Sequence, residues 1–70
     1  MQMFTAVLHE EDGMYVAECP EVGTISQGDT IEGGVNNLKE ATELYLEDFP
    51  LKEVGKTLMT TFEVAVSAKA

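Results

Sequence analysis

The sequence predicts an α+β domain in which a three-stranded antiparallel meander is followed by one helix and a fourth strand, in the order β-β-β-α-β. Three observations lead to this prediction: an Asp12-Gly13 turn between two alternating segments, an apolar stripe with helical spacing that ends at Pro50, and renewed alternation from Leu58 to Val66. We expect the helix to pack on one face of the sheet. With 70 residues the chain has room for one modest core, so residues 1–70 are predicted to form a single domain.

A hairpin is predicted from Met3–Glu10 and Met14–Cys19, because Asp-Gly between alternating segments is a strong signal for a two-residue turn. The residues that this turn pairs are Val7 with Glu18, Leu8 with Ala17, and His9 with Val16. One face is more uniformly apolar, and we place the helix against it; it carries Phe4, Ala6, Leu8, Tyr15, Ala17 and Cys19. The other face is mixed, so it is either solvated or used by a partner; it carries Thr5, Val7, His9, Met14, Val16 and Glu18.

The helix is predicted to follow a loop at residues 20–23 and a short third strand at Thr24–Gln27. Asp29 suits the N-cap, and Glu32 three residues later would complete a capping box. Pro50 ends the helix after Phe49. The apolar stripe expected to face the core consists of Ile31, Val35, Leu38, Tyr45 and Phe49, with Ala41 and Thr42 filling the gap. Gly28 fits a turn with positive φ, whereas Gly33-Gly34 either softens the first helical turn or permits close packing.

The remainder of the chain reads as a connector at Leu51–Thr57, a fourth strand at Leu58–Val66 and a frayed end at Ser67–Ala70. The strand's more apolar side carries Leu58, Thr60, Phe62, Val64 and Val66, and its other side carries Met59, Thr61, Glu63 and Ala65.

Three segments resemble the HicB-like antitoxin family: Tyr15–Glu21, Ser26–Glu32 and Asn37–Leu46. The resemblance covers nearly the whole chain, although Gly33-Gly34 stands where the family usually has a helix-forming pair such as Glu-Ala. It implies a reduced ribonuclease-H-like core. It also implies that the chain binds and neutralises a small HicA-type toxin, an RNA-cleaving protein with a basic, double-stranded-RNA-binding-type fold. Longer members add a C-terminal DNA-binding module, which this chain lacks, so we expect no autonomous DNA binding.

The charge balance limits the classes of partner. Thirteen acids, four lysines and no arginine give a net charge of −9. Nucleic-acid binding requires a basic footprint, and anionic membrane surfaces repel such a chain. A basic protein is the complementary partner, although the charge could also serve only solubility. The candidate partner-binding residues are Glu40, Glu43 and Glu47, which share the helix side opposite the apolar stripe; the alternative is an ordinary solvated face.

No catalytic, metal or cofactor site is predicted. The expected strand alternation places Cys19 and His9 on opposite faces, so they cannot form a nucleophile pair, and Cys19 reads as a small core residue. The middle of the first strand has no acid for two-metal nuclease chemistry. The glycines do not form a phosphate-binding loop. One cysteine and no signal peptide favour the cytoplasm.

The sequence therefore predicts a non-enzymatic, antitoxin-type binding domain. Antitoxin activity without repression and loss of the toxin partner both remain open. The alternative function is a stand-alone structural or regulatory domain that self-associates through its sheet. A homodimer or higher oligomer is expected in either case, because a core this small is marginal alone.

Overall fold

The computed structural model describes residues 2–51 and 55–67. Its elements are β1 at Val7–Glu11, β2 at Met14–Cys19, β3 at Thr24–Gly28 and α1 at Ile31–Asp48. The sheet has the order β1-β2-β3, and both strand pairs are antiparallel. The predicted α+β class, with an antiparallel meander followed by one helix, is confirmed. Part of the predicted connector, residues 52–54, and most of the predicted frayed end, residues 68–70, lie outside the described residues.

The first hairpin has the predicted turn and register. Asp12 and Gly13 have φ values of 50° and 79°, the two positive values that a type I′ turn requires. The paired residues are Val7 with Glu18, Leu8 with Ala17, and His9 with Val16, as predicted. β1 begins at Val7 and not at Met3. The Thr5 N–H donates to the Glu21 carboxylate at 2.9 Å instead of to a neighbouring strand.

The helix N-cap is Thr30, so the prediction of Asp29 was wrong by one residue. Thr30 is extended, with φ −130° and ψ 164°, and its Oγ1 accepts from the Gly33 N–H at 2.9 Å. The third helical residue is therefore Gly33, and Glu32 stands one position too early for a capping box. At the other end, the Phe49 N–H donates to the Tyr45 carbonyl at 2.9 Å, and the helix stops before Pro50 as predicted.

The buried core lies between β2 and α1. Ala17 and Cys19 of β2 and Leu38 of α1 are 0%, 1% and 5% exposed. The half-buried apolar residues packed against them are Phe4, Ala6, Leu8 and Val22. Two side-chain hydrogen bonds join α1 to β3: Thr42 and Thr24 share one between their hydroxyls at 2.7 Å, and Asn37 Nδ2 donates to the Gln27 carbonyl at 2.8 Å.

The buried line of α1 agrees with the predicted stripe at Leu38 and Thr42 only. Gly34, Leu38 and Thr42 are its buried residues, spaced four apart. Of the predicted stripe, Ile31 and Phe49 are 57% and 59% exposed. The other two exposed members are Val35 and Tyr45. An 18-residue helix is about 27 Å long, whereas a five-residue strand such as β3 spans roughly 17 Å. The two ends of the helix therefore extend beyond the strands.

A close backbone contact explains two glycines. A Cβ on Gly28 would lie 2.5 Å from the Gly34 nitrogen and 2.7 Å from the Gly33 carbonyl carbon. Gly28 does not have positive φ, so the predicted reason for this glycine was wrong. A Cβ on Gly34 would lie 3.3 Å from the Tyr15 carbonyl oxygen. Of the two roles considered for Gly33-Gly34, close packing therefore applies to Gly34.

The predicted fourth strand is not formed. Among residues 55–67, none lies in a strand. The five members of the more apolar side, Leu58, Thr60, Phe62, Val64 and Val66, are all exposed. A period-two pattern states which residues share a face, but a strand forms only when a neighbouring edge accepts its backbone hydrogen bonds. None of the strands β1, β2 and β3 pairs with the segment.

No helix in the described part of the chain combines the length and the apolar composition that crossing a membrane requires.

Candidate partner-binding surface

The outer side of α1 carries the three predicted binding residues. All of Glu40, Glu43 and Glu47 are exposed. At 3.6 residues per turn they lie roughly 140–200° around the helix from Leu38, which is buried against the sheet. Within residues 2–51 and 55–67, no ion pair involves these carboxylates. The structure thus places the three residues on one exposed acidic surface, which we call the acidic ridge.

An apolar groove borders the acidic ridge. It has a volume of about 370 Å³ and lies between residues 2–6 and α1. Its apolar lining residues are Phe4, Ala6, Val35 and Leu46, and its charged ones are Lys39 and Glu43. The groove exists because α1 contacts β3 and β2, leaving the β1 side of the same sheet face less covered. Sequence reasoning missed this groove, although it placed Phe4 and Ala6 on the face toward the helix.

The opposite face of the sheet is partly apolar and open. Val7 and Ile25 are 37% and 62% exposed, and Glu18 lies directly between them in the register, while Val16 lies in the neighbouring row between His9 and Gln27. His9 is on this face, and its Nε2 lies 2.7 Å from a carboxylate oxygen of Glu11. Both side chains are exposed, so this pair contributes little to stability.

The residues considered for catalysis are not brought together. Cys19 is buried in the core, and burial raises the pKa of its thiol, which disfavours the reactive thiolate. His9 lies on the other sheet face, two residues from its partner Glu11. Among the described residues, no group of three or more His, Cys, Asp or Glu side chains could hold a metal ion.

Glu21 joins the N-terminal segment to the end of β2, a role that the sequence did not reveal. Its carboxylate accepts from the Thr5 N–H at 2.9 Å, from Thr5 Oγ1 at 2.6 Å and from Cys19 Sγ at 3.3 Å. The hydrogen bonds from Thr5 are the main reason that the pKa of Glu21 is lowered from 4.5 to about 2. A carboxylate in a surface loop has no periodicity that could have predicted these partners.

Acid should weaken the fold through Glu21. Because the folded state lowers the pKa of this group, its stabilisation is present above pH 4.5 and is lost as the pH falls toward about 2. We expect the urea midpoint of the native protein to fall between pH 6 and pH 3 by more than that of Glu21→Gln, which cannot titrate. Glu18→Gln, at an exposed strand position, is the matched control and should keep the native pH dependence. Equal pH dependence in the native protein and Glu21→Gln would contradict the assignment.

Comparisons with known proteins identify the family. A UPF0150 protein of Helicobacter pylori is 38% identical over 54 residues, which cover 76% of this chain and 75% of the relative. A UPF0150 protein of Synechocystis sp. is 32% identical over 56 residues, which cover 79% of this chain and 81% of the relative. The chain belongs to the UPF0150 family. A second UPF0150 protein of Synechocystis sp. is 50% identical over 46 residues, or 63% of this chain, and the match spans 58% of that relative's length.

The UPF0150 name states no activity, ligand or partner. No family model matches the chain, and no solved structure matches it. UPF0150 membership therefore establishes homology to these proteins, whereas the more specific assignment to the HicB-like antitoxins stays a proposal.

Proposed function

We propose that this UPF0150 chain is a non-enzymatic, HicB-like binding domain of the antitoxin type, which binds and neutralises a small basic HicA-type RNA-cleaving toxin in the cytoplasm. The observation that carries the proposal is the acidic ridge of Glu40, Glu43 and Glu47, which is exposed and has no ion-pair partner in the described parts of the chain. A basic partner supplies the missing positive charge.

Electrostatics favours the acidic ridge as the first contact. Glu43 and Glu47 are four residues apart on one helix, so their charges repel each other mildly. A cationic partner relieves this repulsion and adds attraction of its own. The net charge of −9 extends the attraction beyond the contact and speeds encounter with a basic protein.

The groove next to the acidic ridge supports a specific complex and not only a charged encounter. Glu43 belongs to both surfaces, so a partner that pairs with the acidic ridge reaches Phe4, Val35 and Leu46 without moving across the molecule. Charged rim residues mainly set association rate and salt dependence, whereas apolar anchors in a pocket carry most of the binding energy. The two surfaces together suit a partner that has both basic and apolar residues.

The test requires the partner itself. The tagged full chain is used to capture proteins from the source organism, and a captured small basic protein is then purified and expressed alone. We expect that protein to cleave RNA and arrest growth, and co-expression of this chain to restore growth. Capture of no basic protein, or of one that neither cleaves RNA nor affects growth, would oppose the antitoxin proposal.

Replacing the acidic ridge tests the docking surface. In the triple variant Glu40→Gln, Glu43→Gln, Glu47→Gln, we expect the association rate with the partner at low salt to fall on the order of tenfold. The salt dependence of that rate should become weaker. The matched control is Glu10→Gln, Glu11→Gln, Glu18→Gln, which removes the same charge from exposed strand positions and should change the rate less. Equal effects of the two triple variants would mean that only net charge matters.

Self-association is the second candidate function. It is favoured by the exposed apolar residues of the open sheet face, Val7 and Ile25, and of the segment Leu58–Val66. The two functions are compatible, because self-association through these residues would leave the acidic ridge accessible.

A further inference from the structure

The segment Leu58–Val66 has the composition of a buried strand but lies in solvent. Leu58, Phe62 and Val66 are 81%, 83% and 83% exposed. Val64, on the same side of the alternating pattern, is 66% exposed. The opposite side carries Thr61 and Glu63 together with Met59 and Ala65. One apolar and one mixed side is compatible with a strand that packs on a core with one face and meets water with the other. We call this segment the C-terminal arm.

The C-terminal arm leaves the body of the protein after an anchored stretch. Leu51, Gly55, Lys56 and Thr57 line a cavity of about 310 Å³ together with residues 2–5 and Glu21. Thr57 is half-buried, whereas every residue from Leu58 to Val66 is exposed. The radius of gyration is 14.9 Å, compared with roughly 11 Å for a compact chain of this length. The described chain thus extends away from the body of the protein after Thr57.

The sheet has a free edge that matches the C-terminal arm. β1 is an outer strand of the order β1-β2-β3, and the apolar groove lies on its side of the helix-facing surface. Phe4, Ala6 and Leu8 are only half-buried there. A strand placed beside β1 would satisfy the free backbone groups of this edge. Its apolar side chains would enter the groove against Val35 and Leu46.

We propose that the C-terminal arm of one copy adds as a strand to the outer edge of β1 in a second copy, and that reciprocal exchange forms a homodimer. The apolar side of the C-terminal arm then covers the groove, and Thr61 and Glu63 face solvent. The C-terminal arm and a toxin partner would compete for the groove, so in the exchanged dimer the acidic ridge alone stays open to such a partner.

Charge makes a second copy a suitable occupant. Two chains with a net charge of −9 repel each other, so contact between them requires surfaces with little charge. Leu58–Val66 contains one acid, Glu63, and no base. The face of the receiving groove is mainly apolar. An exchanged C-terminal arm therefore buries apolar surface without placing the two acidic ridges against each other.

Sedimentation equilibrium of the full chain tests the exchange. We expect a dimer at micromolar concentration. Phe62→Asp, Val64→Asp should raise the dissociation constant by roughly thirtyfold or more. Both residues are exposed in the single copy, so the variant should keep the fold of residues 2–51. An unchanged circular dichroism spectrum would show this. The matched control is Thr61→Asp, Ala65→Asp, which adds the same charge to the solvent side of the C-terminal arm and should remain dimeric.

Three outcomes would overturn the proposal. One is a native protein that stays monomeric at about 100 μM, far above the micromolar range in which specific dimers form. Another is a Phe62→Asp, Val64→Asp variant that dimerises as well as its control, which would place the contact elsewhere, such as the open sheet face. The third comes from amide hydrogen exchange at increasing protein concentration. Protection should rise in Val7–Glu11 and in Leu58–Val66. A rise in β3 instead would show that the C-terminal arm pairs with the other edge of the sheet.

Discussion

Replacing Gly28 with alanine should destabilise the fold more than any other single small substitution in the sheet. The added Cβ would lie 2.5, 2.7 and 3.0 Å from backbone atoms of Gly33 and Gly34, which cannot move aside as a flexible side chain can. Overpacking typically costs about 1–3 kcal/mol and occasionally more, and a backbone clash belongs at the upper end. A 70-residue domain has roughly 4–10 kcal/mol in total. Gly28→Ala should therefore lose a large fraction of its free energy of unfolding.

Urea unfolding followed by circular dichroism measures this effect, with Gly55→Ala as the matched control. Nothing lies within 4 Å of a Cβ at Gly55, and its φ is not in the left-handed region. The control should therefore have the native midpoint. A native-like midpoint for Gly28→Ala would mean that α1 can shift away from β3 at little cost, and that the contact between Gly28 and Gly34 is not required.

Leu38→Ala should lower the free energy of unfolding by about 2–5 kcal/mol. Leu38 is 5% exposed and is the side chain through which α1 joins Ala17 and Cys19 in the core. The loss combines the transfer energy of the removed methyl groups with the cavity left behind. Because the core has so few buried side chains, few neighbouring apolar groups can move into that cavity.

Leu44→Ala is the control for this second prediction, because it makes the same change on the same helix at a residue that is 58% exposed. Its thermal midpoint should change little, since exposed substitutions are usually within about 0.5 kcal/mol of neutral. Equal losses in Leu38→Ala and Leu44→Ala would mean that the burial of Leu38 is not what stabilises the fold, because alanine raises helix propensity at both positions.

The sequence was a good guide to the hairpin and to the extent of the helix. Asp12-Gly13 predicted both the hairpin turn and the register, because only certain residues adopt positive φ and the turn then determines which residues face each other. Pro50 predicted where the helix ends. The same logic placed the acidic ridge on the outer side of α1, since helical periodicity determines which residues share a side.

Periodicity was a weaker guide to what is buried. It correctly predicted Leu38 as a core residue but also selected Ile31 and Phe49, which lie near the helix ends beyond the strands. It predicted the strand pattern of Leu58–Val66 but could not show which edge, if any, would accept it. The apolar groove was missed because its lining comes from residues 2–6 and from α1, which are distant in the sequence.

The sequence by itself determined the local features of this UPF0150 protein: the turn, the strand register, the helix end, the acidic composition and the side of the helix that carries Glu40, Glu43 and Glu47. Each depends on a residue's own conformational preference or on spacing along one element. Only the tertiary structure decided that Gly28 and Gly34 must be small and that Glu21 holds Thr5. It also decided that the groove beside β1 stays open and that Leu58–Val66 pairs with none of β1, β2 and β3. These features depend on distances between elements far apart in the chain, which no local pattern encodes.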